Sequence, residues 1–291
     1  MDGASLQTRL GLSVPYEWWP ASTVLKEIEA AGFGWVQIPS PPASVLINPR
    51  QGAEHAKGLA EALETATLRR VLHAPGDVQA GTARGDRALK GLLSYAAETG
   101  AGQIAYHAAN FPDRPASEDS LLAETRSLAR LAGRAERLGV TITLENLAPV
   151  FPGPDALCFS PSLLRTMAKR ISSPAVGLCL DVGHANIVAD RRHADILELI
   201  EPALDCTELF HLHDNLGSRR GPAVSPEIDP LRLDLHLPPG RGTVPWGRLA
   251  PLLSRNDAPL LLEVHPPRPA AAAMFAAATE ALESQPPRVV A

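Results

Sequence analysis

The chain has 291 residues, of which 45% are apolar and 20% charged, and its formal net charge is -5 at pH 7. That composition supplies apolar side chain for a large core and lies far from that of a disordered chain. A net negative chain has no overall attraction for a phosphate backbone, so nucleic acid is not an expected partner.

Read in chain order, short apolar runs alternate with segments of helical period. Strands are expected over residues 9–14, 34–38, 70–73, 103–107, 141–145, 176–181, 208–213 and 260–265. Helices are expected over 22–31, 49–66, 86–99, 118–138, 162–171, 190–200, 246–254 and 270–284. The plainest helix is 118–138, where Leu121, Leu122, Leu128, Leu131 and Leu138 fall on one face and Gly139 follows as a stop. Strict alternation favours a parallel sheet, and eight units favour closure, because a closed barrel has no edge strands. The expected fold is therefore a single α/β domain over 1–291, a (β/α)8 TIM barrel. Two irregular segments, 148–161 and 215–245, follow strands and are placed as loops on the strand C-terminal face, the second as a lid or binding loop.

Six of the eight strands end in a metal-competent side chain: His73, His107, Glu145, Asp181, His211 and Glu263. Taken singly, a strand-terminal His or Asp often caps a helix or bonds to backbone. In a barrel, however, all such ends converge on one mouth, where active sites of this fold lie. Three carboxylates brought together there repel one another unless a cation is present. Mixed imidazole and carboxylate ligands suit Zn, Mn, Co or Fe better than Ca. Asp181-Val-Gly-His184 reads as a tight turn through Gly183 that returns His184 to the mouth, and Asp234-Leu-His236 as alternate residues of an extended segment that point one way. His213 lies two residues past His211 and on the same side of that strand, which leaves one imidazole for metal and the other for substrate.

These motifs resemble the xylose isomerase-like TIM barrel superfamily, which includes sugar isomerases and epimerases and the endonuclease IV type of abasic-site nuclease. The carriers are His73-Ala-Pro, the His107 strand end, Leu144-Glu145-Asn146, Asp181-Val-Gly-His184-Ala-Asn186, His211-Leu-His-Asp-Asn215, Asp234-Leu-His236-Leu-Pro-Pro-Gly-Arg-Gly-Thr243 and Leu262-Glu263-Val264. The isomerase and epimerase branch implies one metal on Glu145, Asp181, His211 and Glu263, with Glu145 and Glu263 also as acid and base. It leaves His73, His107, His184, His213 and Arg241 for a sugar-like substrate. The nuclease branch implies three zinc ions: one on His73, His107 and Glu145, a second on the four-residue set, and a third on His184, Asp234 and His236. The mouth lacks an evident aromatic wedge for kinking a duplex, and the run from Pro238 to Trp246 looks more like the sugar-enzyme branch. The basic residues Arg219 and Arg220 can equally bind a substrate phosphate or sit in solvent.

The expected function is thus a metal-dependent isomerase or epimerase of a sugar or sugar-like polyol, in carbohydrate metabolism. A multinuclear phosphoester hydrolase and a metal-binding barrel without turnover are the alternatives. No Walker loop, no dinucleotide fingerprint after a strand and no Gly-x-Ser-x-Gly elbow is present, so a nucleotide cofactor or a covalent serine is not expected. Cys158, Cys179 and Cys206 read as structural thiols. Trp18, Trp19 and Phe151 read first as packing residues and second as an apolar wall for ligand. Residues 1–8 carry no signal-peptide pattern and no run nears the ~20 apolar residues of a membrane span. A cytoplasmic location and, by the family's habit, self-association into a homo-oligomer complete the expectation.

Overall fold

Parallel pairing runs unbroken from the first strand through the eighth and back to the first, so the sheet closes into a barrel. The structure, a computed structural model, describes residues 6–15, 22–111, 117–150, 155–218, 232–265 and 269–284. The readings placed on Trp18, Trp19, Phe151, Arg219 and Arg220 lie outside those residues. The strands are β1 (Leu10–Ser13), β2 (Trp35–Pro39), β3 (Arg69–His73), β4 (Gln103–His107), β5 (Thr141–Glu145), β6 (Val176–Asp181), β7 (Thr207–Leu212) and β8 (Leu260–Leu262). The helices are α1 (Ser22–Ala30), α2 (Ala43–Ile47), α3 (Pro49–Ala62), α4 (Ala83–Thr99), α5 (Glu118–Leu138), α6 (Pro161–Ile171), α7 (Val182–Arg192), α8 (Ile196–Ile200), α9 (Trp246–Leu253) and α10 (Ala271–Glu283).

The strands are apolar on both faces because one face meets the helix ring and the other fills the barrel. Inside, Val71, Ala105, Cys179, Leu209 and Leu261 form a compact layer beneath the mouth. Outside, a larger cluster joins strand residues such as Leu12, Val36, Ile104 and Leu178 to helix residues such as Leu89, Leu128 and Leu164. Cys158 and Cys179 are buried within this packing, and Cys206 is half-buried. Burial pushes the Cys179 thiol to about 12, which suits a space-filling role. No helix among the described residues is long and apolar enough to cross a membrane.

Several boundaries differ from the sequence reading for local reasons. Helix α4 starts at Ala83 because the Thr82 side chain accepts the Gly85 N–H and caps it, so the helix gains a turn over the expected 86–99. The short helix α2 was not expected; it is too brief to show a period. The largest difference follows β6. Helix α7 begins at Val182, immediately after the strand, because the Asp181 side chain accepts the His184 N–H at 2.7 Å and caps the helix from the strand's own last residue. There is no turn through Gly183. The helix expected over 190–200 is therefore two helices, α7 ending at a left-handed His193 and α8 starting under an Asp195 cap.

Register matters most at the C-terminal ends. Pro39 pairs with His73, His107 with Glu145, and Asp181 with His211. Equal height on neighbouring strands sets these side chains around one opening.

Candidate metal centre

His211 is fully buried. Its Nε2–H donates to the Gln37 Oε1 at 2.7 Å. The Gln37 amide is held the other way by its own NH2, which donates to Glu263 Oε1 at 3.1 Å and to Ser13 Oγ at 3.3 Å. With Nε2 committed to Gln37, Nδ1 faces inward, and in the neutral ring it presents a lone pair there. It meets Glu145 Oε1 at 3.2 Å, Glu263 Oε2 at 3.5 Å and Asp181 Oδ2 at 3.8 Å. Lone pairs from one imidazole and three carboxylates thus converge on one point, which requires protons or a cation between them.

The same logic repeats twice. His73 donates Nδ1–H to the Ala74 carbonyl oxygen at 2.8 Å, which leaves Nε2 at 3.3 Å from Glu145 Oε2, with His107 Nε2 at 3.7 Å from the same oxygen. His184 donates Nδ1–H to the Asn146 carbonyl oxygen at 2.8 Å, and His236 donates Nδ1–H to the Glu263 carbonyl oxygen at 2.7 Å. Their Nε2 atoms lie 3.3 and 2.8 Å from Asp234 Oδ2. Fixing the far ring nitrogen on a carbonyl is the arrangement that metal-ligating histidines use. The ligand atoms of His73, His107 and Glu145, of Glu145, Asp181, His211 and Glu263, and of His184, His213, Asp234 and His236 each lie within 4.8 Å of one another.

The donor set fits divalent metal on an observation independent of spacing. Glu145 Oε2, Asp181 Oδ2, Asp234 Oδ1 and both ring nitrogens of His213 are buried with no hydrogen-bond partner. Orphans of that kind are costly and rare in a folded interior. A cation in each ligand set would satisfy the orphaned oxygen beside it.

Electrostatics agree. Burial alone raises a carboxyl, but His211 and His107 outweigh it at Glu145 and hold that group well below its ordinary range. At Glu263, burial is outweighed by His211 and His236, and the group sits at about 2. Burial opposes protonation of His184, but Asp181 and Asp234 outweigh it and raise that imidazole well above its usual value. His107 goes the other way: burial pushes it to about 4, so it is neutral near pH 7.

The loop after β7 is tied down by Asp214. Its backbone exchanges both hydrogen bonds with Leu237, at 2.7 and 2.8 Å. Its carboxylate accepts the Gly240 and Val244 N–H groups and the Trp246 indole N–H, at 3.0, 3.1 and 3.0 Å. Trp246 therefore anchors the loop rather than lining the mouth. Arg241 is exposed on this loop.

Two residues that shape the site were not singled out from sequence. Gln37 orients His211 and Glu263 from mid-strand. Asn146 pairs with the Asp181 backbone in both directions, at 3.0 and 2.9 Å, and aims His184 through its carbonyl. The only signal for Gln37 is a polar residue inside an apolar run. A cavity of about 190 Å3 opens over the centre, with Ser13, Pro39, His73, Glu263 and His265 in its wall.

An eight-stranded parallel barrel with imidazoles and carboxylates gathered at the strand C-terminal mouth defines a metal-competent (β/α)8 protein. The family model described as xylose isomerase-like TIM barrel matches residues 25–284, and the chain belongs to that family. No curated protein matches the chain. Among solved structures, a D-tagatose 3-epimerase-like protein is similar at 22% identity and a TM-score of 0.68, over 94% of this chain and 97% of that one. The 3-keto-D-glucoside 4-epimerase YcjR from E. coli is similar at 17% identity and a TM-score of 0.67, over 94% and 98%. The TTHB071 protein from Thermus thermophilus, in a crystal soaked with ZnCl2, is similar at 23% identity and a TM-score of 0.63, over 93% and 97%. At these identities the likeness is one of fold.

Proposed function

We propose that the chain is a divalent-metal-dependent isomerase or epimerase that acts on a sugar or sugar-like polyol by carboxylate-mediated proton transfer. One observation carries the reading: Glu145, which ends β5, and Glu263, which follows β8, approach the same His211 Nδ1 at 3.2 and 3.5 Å. Two carboxylates flanking one ion site provide a proton acceptor and a proton donor on either side of a bound carbon. Glu145, Asp181, His211 and Glu263 would hold the ion, which supplies polarisation of a carbonyl and a neighbouring hydroxyl and so acidifies the C–H between them. Glu263 keeps partial access to the cavity and would take the proton there. Half-buried His73, in the cavity wall, and half-buried His107 stand beside Glu145 and would hydrogen-bond substrate hydroxyls. The epimerase-like protein and the 4-epimerase of the same fold support this reading.

A second reading is favoured by the ligand count, since three adjoining sets match the inventory of a multinuclear phosphoester hydrolase of the endonuclease IV type. The deciding experiment incubates metal-loaded protein with a panel of ketoses in D2O. Isomerase chemistry predicts solvent deuterium at the carbon next to the carbonyl, reduced roughly 100-fold or more in Glu263→Gln. Absence of exchange across the panel, together with cleavage of an abasic-site or phosphodiester substrate, overturns the proposal in favour of the hydrolase.

A further inference from the structure

We propose that His265 is a hydrogen-bond donor to the substrate oxygen that gains negative charge during proton transfer, and that Arg232 positions it for that task. The inference rests on the proposed reaction, since it names the residue that meets the oxygen while Glu263 meets the neighbouring carbon. It invokes no further ion.

The tautomer follows from one contact. Arg232 Nη2 lies 2.8 Å from His265 Nδ1. A guanidinium donates and cannot accept, so Nδ1 must offer its lone pair, and the neutral ring carries its one N–H on Nε2. Arg232 is fixed from its other side, where the Nε–H donates to the Asp234 carbonyl oxygen at 2.7 Å. One face of the His265 ring lies on His236, with 3.8 Å between centroids and 13° between planes. The His265 backbone N–H reaches the His236 carbonyl oxygen at 3.2 Å. Stacking, backbone and one ring nitrogen thus hold the imidazole in place. The other nitrogen is left over: among the described residues, nothing accepts the Nε2–H.

His265 stands in the wall of the cavity together with Glu263, two residues before it. When Glu263 takes a proton from carbon, the C–H electron pair moves into the bond to the adjacent carbonyl carbon, and the π pair goes to oxygen. The charge therefore appears on an atom beside the one that Glu263 faces, where a neighbouring wall donor meets it. The His265 proton is shared with that oxygen and not transferred, and a carboxyl returns the other proton to carbon. Arg232 sharpens the effect. Its charge, seated on Nδ1, polarises the ring so that Nε2–H bonds an anionic oxygen more strongly than a neutral one. Arg232 pairs with no carboxylate among the described residues, which leaves that charge for the ring. A donor already aimed where charge develops needs no reorganisation at that moment.

The test compares wild type, His265→Leu, His265→Gln and Arg232→Met in the deuterium-exchange assay, with the metal Kd measured alongside. His265→Leu is expected to lower kcat for exchange roughly 100-fold, with KM and metal Kd within about threefold of wild type. His265→Gln, which returns an N–H donor, is expected to recover about tenfold of that loss. Arg232→Met is expected to lose about tenfold by itself and almost nothing on top of His265→Leu. His265→Leu that matches a working wild type within about threefold overturns this inference alone, as does a loss carried by KM or by weaker metal binding. Wild type that exchanges nothing across the panel overturns the reaction reading and this inference with it. Should His265→Leu fail to fold, 15N spectra of histidine-labelled protein decide. A pure Nε2–H tautomer for His265 in wild type that becomes a mixture in Arg232→Met supports the inference, and any other result overturns it.

Discussion

The imidazole tautomers at the mouth are set by partners that never touch the ligands' common centre, and Gln37 is the most exposed test of this. Its side-chain oxygen fixes the proton of His211 on Nε2, and its NH2 holds Glu263. Gln37→Leu keeps the volume but leaves the ring free to turn its N–H toward the carboxylates. Second-layer partners of this kind are worth roughly 10–100-fold in metal affinity. The expected outcome is a metal Kd weaker by about that factor in a competition titration with a chelating dye; an unchanged Kd would show that packing alone orients His211. At this scale His73, His107, Glu145, Asp181, His211 and Glu263 were legible because each closes an apolar run, and a polar residue there stands out. Gln37 was not. A glutamine inside the run Trp-Val-Gln-Ile-Pro carries no mark that tells an inward hydrogen bond from an outward surface position. Asn146 was visible only as part of a motif, since its work is done through backbone atoms.

Elements differ in how far local pattern determines them. Helix α5 was read over its full length from its leucines and its closing glycine, yet its most informative inward residue is Glu124, fully buried in a helix face expected to be apolar. Glu124 accepts the Tyr106 O–H at 2.8 Å and the Ala109 N–H at 3.1 Å on each oxygen, and the Tyr106 hydroxyl in turn accepts the Ala80 N–H at 2.9 Å. The network ties α5 to the end of β4, beside His107. Burial, with the Glu124 carboxylate adding to it, pushes the Tyr106 phenol well above its usual value, so it serves as a donor throughout the working pH range. Removing the carboxylate in Glu124→Ala strands two buried donors, at about 1–3 kcal/mol each. Tyr106→Phe strands the Ala80 N–H and takes one of its hydrogen bonds from the Glu124 carboxylate, and is expected to cost about 1–3 kcal/mol. The double variant should fall short of the sum by at least about 0.5 kcal/mol, because both changes break one network. Urea unfolding of the four proteins measures this, and strict additivity would mean that the groups act independently. The β6–α7 junction was the least legible element, because Asp181 ends a strand, caps a helix and faces the metal site at once. A glycine two residues later suggests a turn unless the ring of His213, distant in sequence, is known to need its space.

Over the whole molecule the mouth stores charge that something must balance. In ion-free protein the balance falls to protons: His184, beside Asp181 and Asp234, and His73, beside Glu145, have raised affinities despite their burial. A group with a raised folded-state pKa adds stability that is present below its unfolded value near 6.5 and lost as the pH rises through the folded value. Ion-free protein should therefore weaken as the pH climbs above about 6.5. Glu263 works from the acid side: its folded value of about 2 lies below its unfolded one, so its contribution is present above about 4.5 and lost as the pH falls toward 2. Metal replaces the protons on the imidazoles, so its binding releases protons and strengthens with pH. The two trends run in opposite directions, and the melting temperature gained on adding metal should widen between about pH 6 and pH 8. At free metal about 1,000 times Kd the gain is about 4 kcal/mol, on the order of 10 °C for a chain of this size. Thermal melts of chelator-treated and zinc-loaded protein across that range test the argument. A gap that stays constant or narrows toward pH 8 would show that the buried imidazoles are already neutral without metal, and that the carboxylates are balanced by another means.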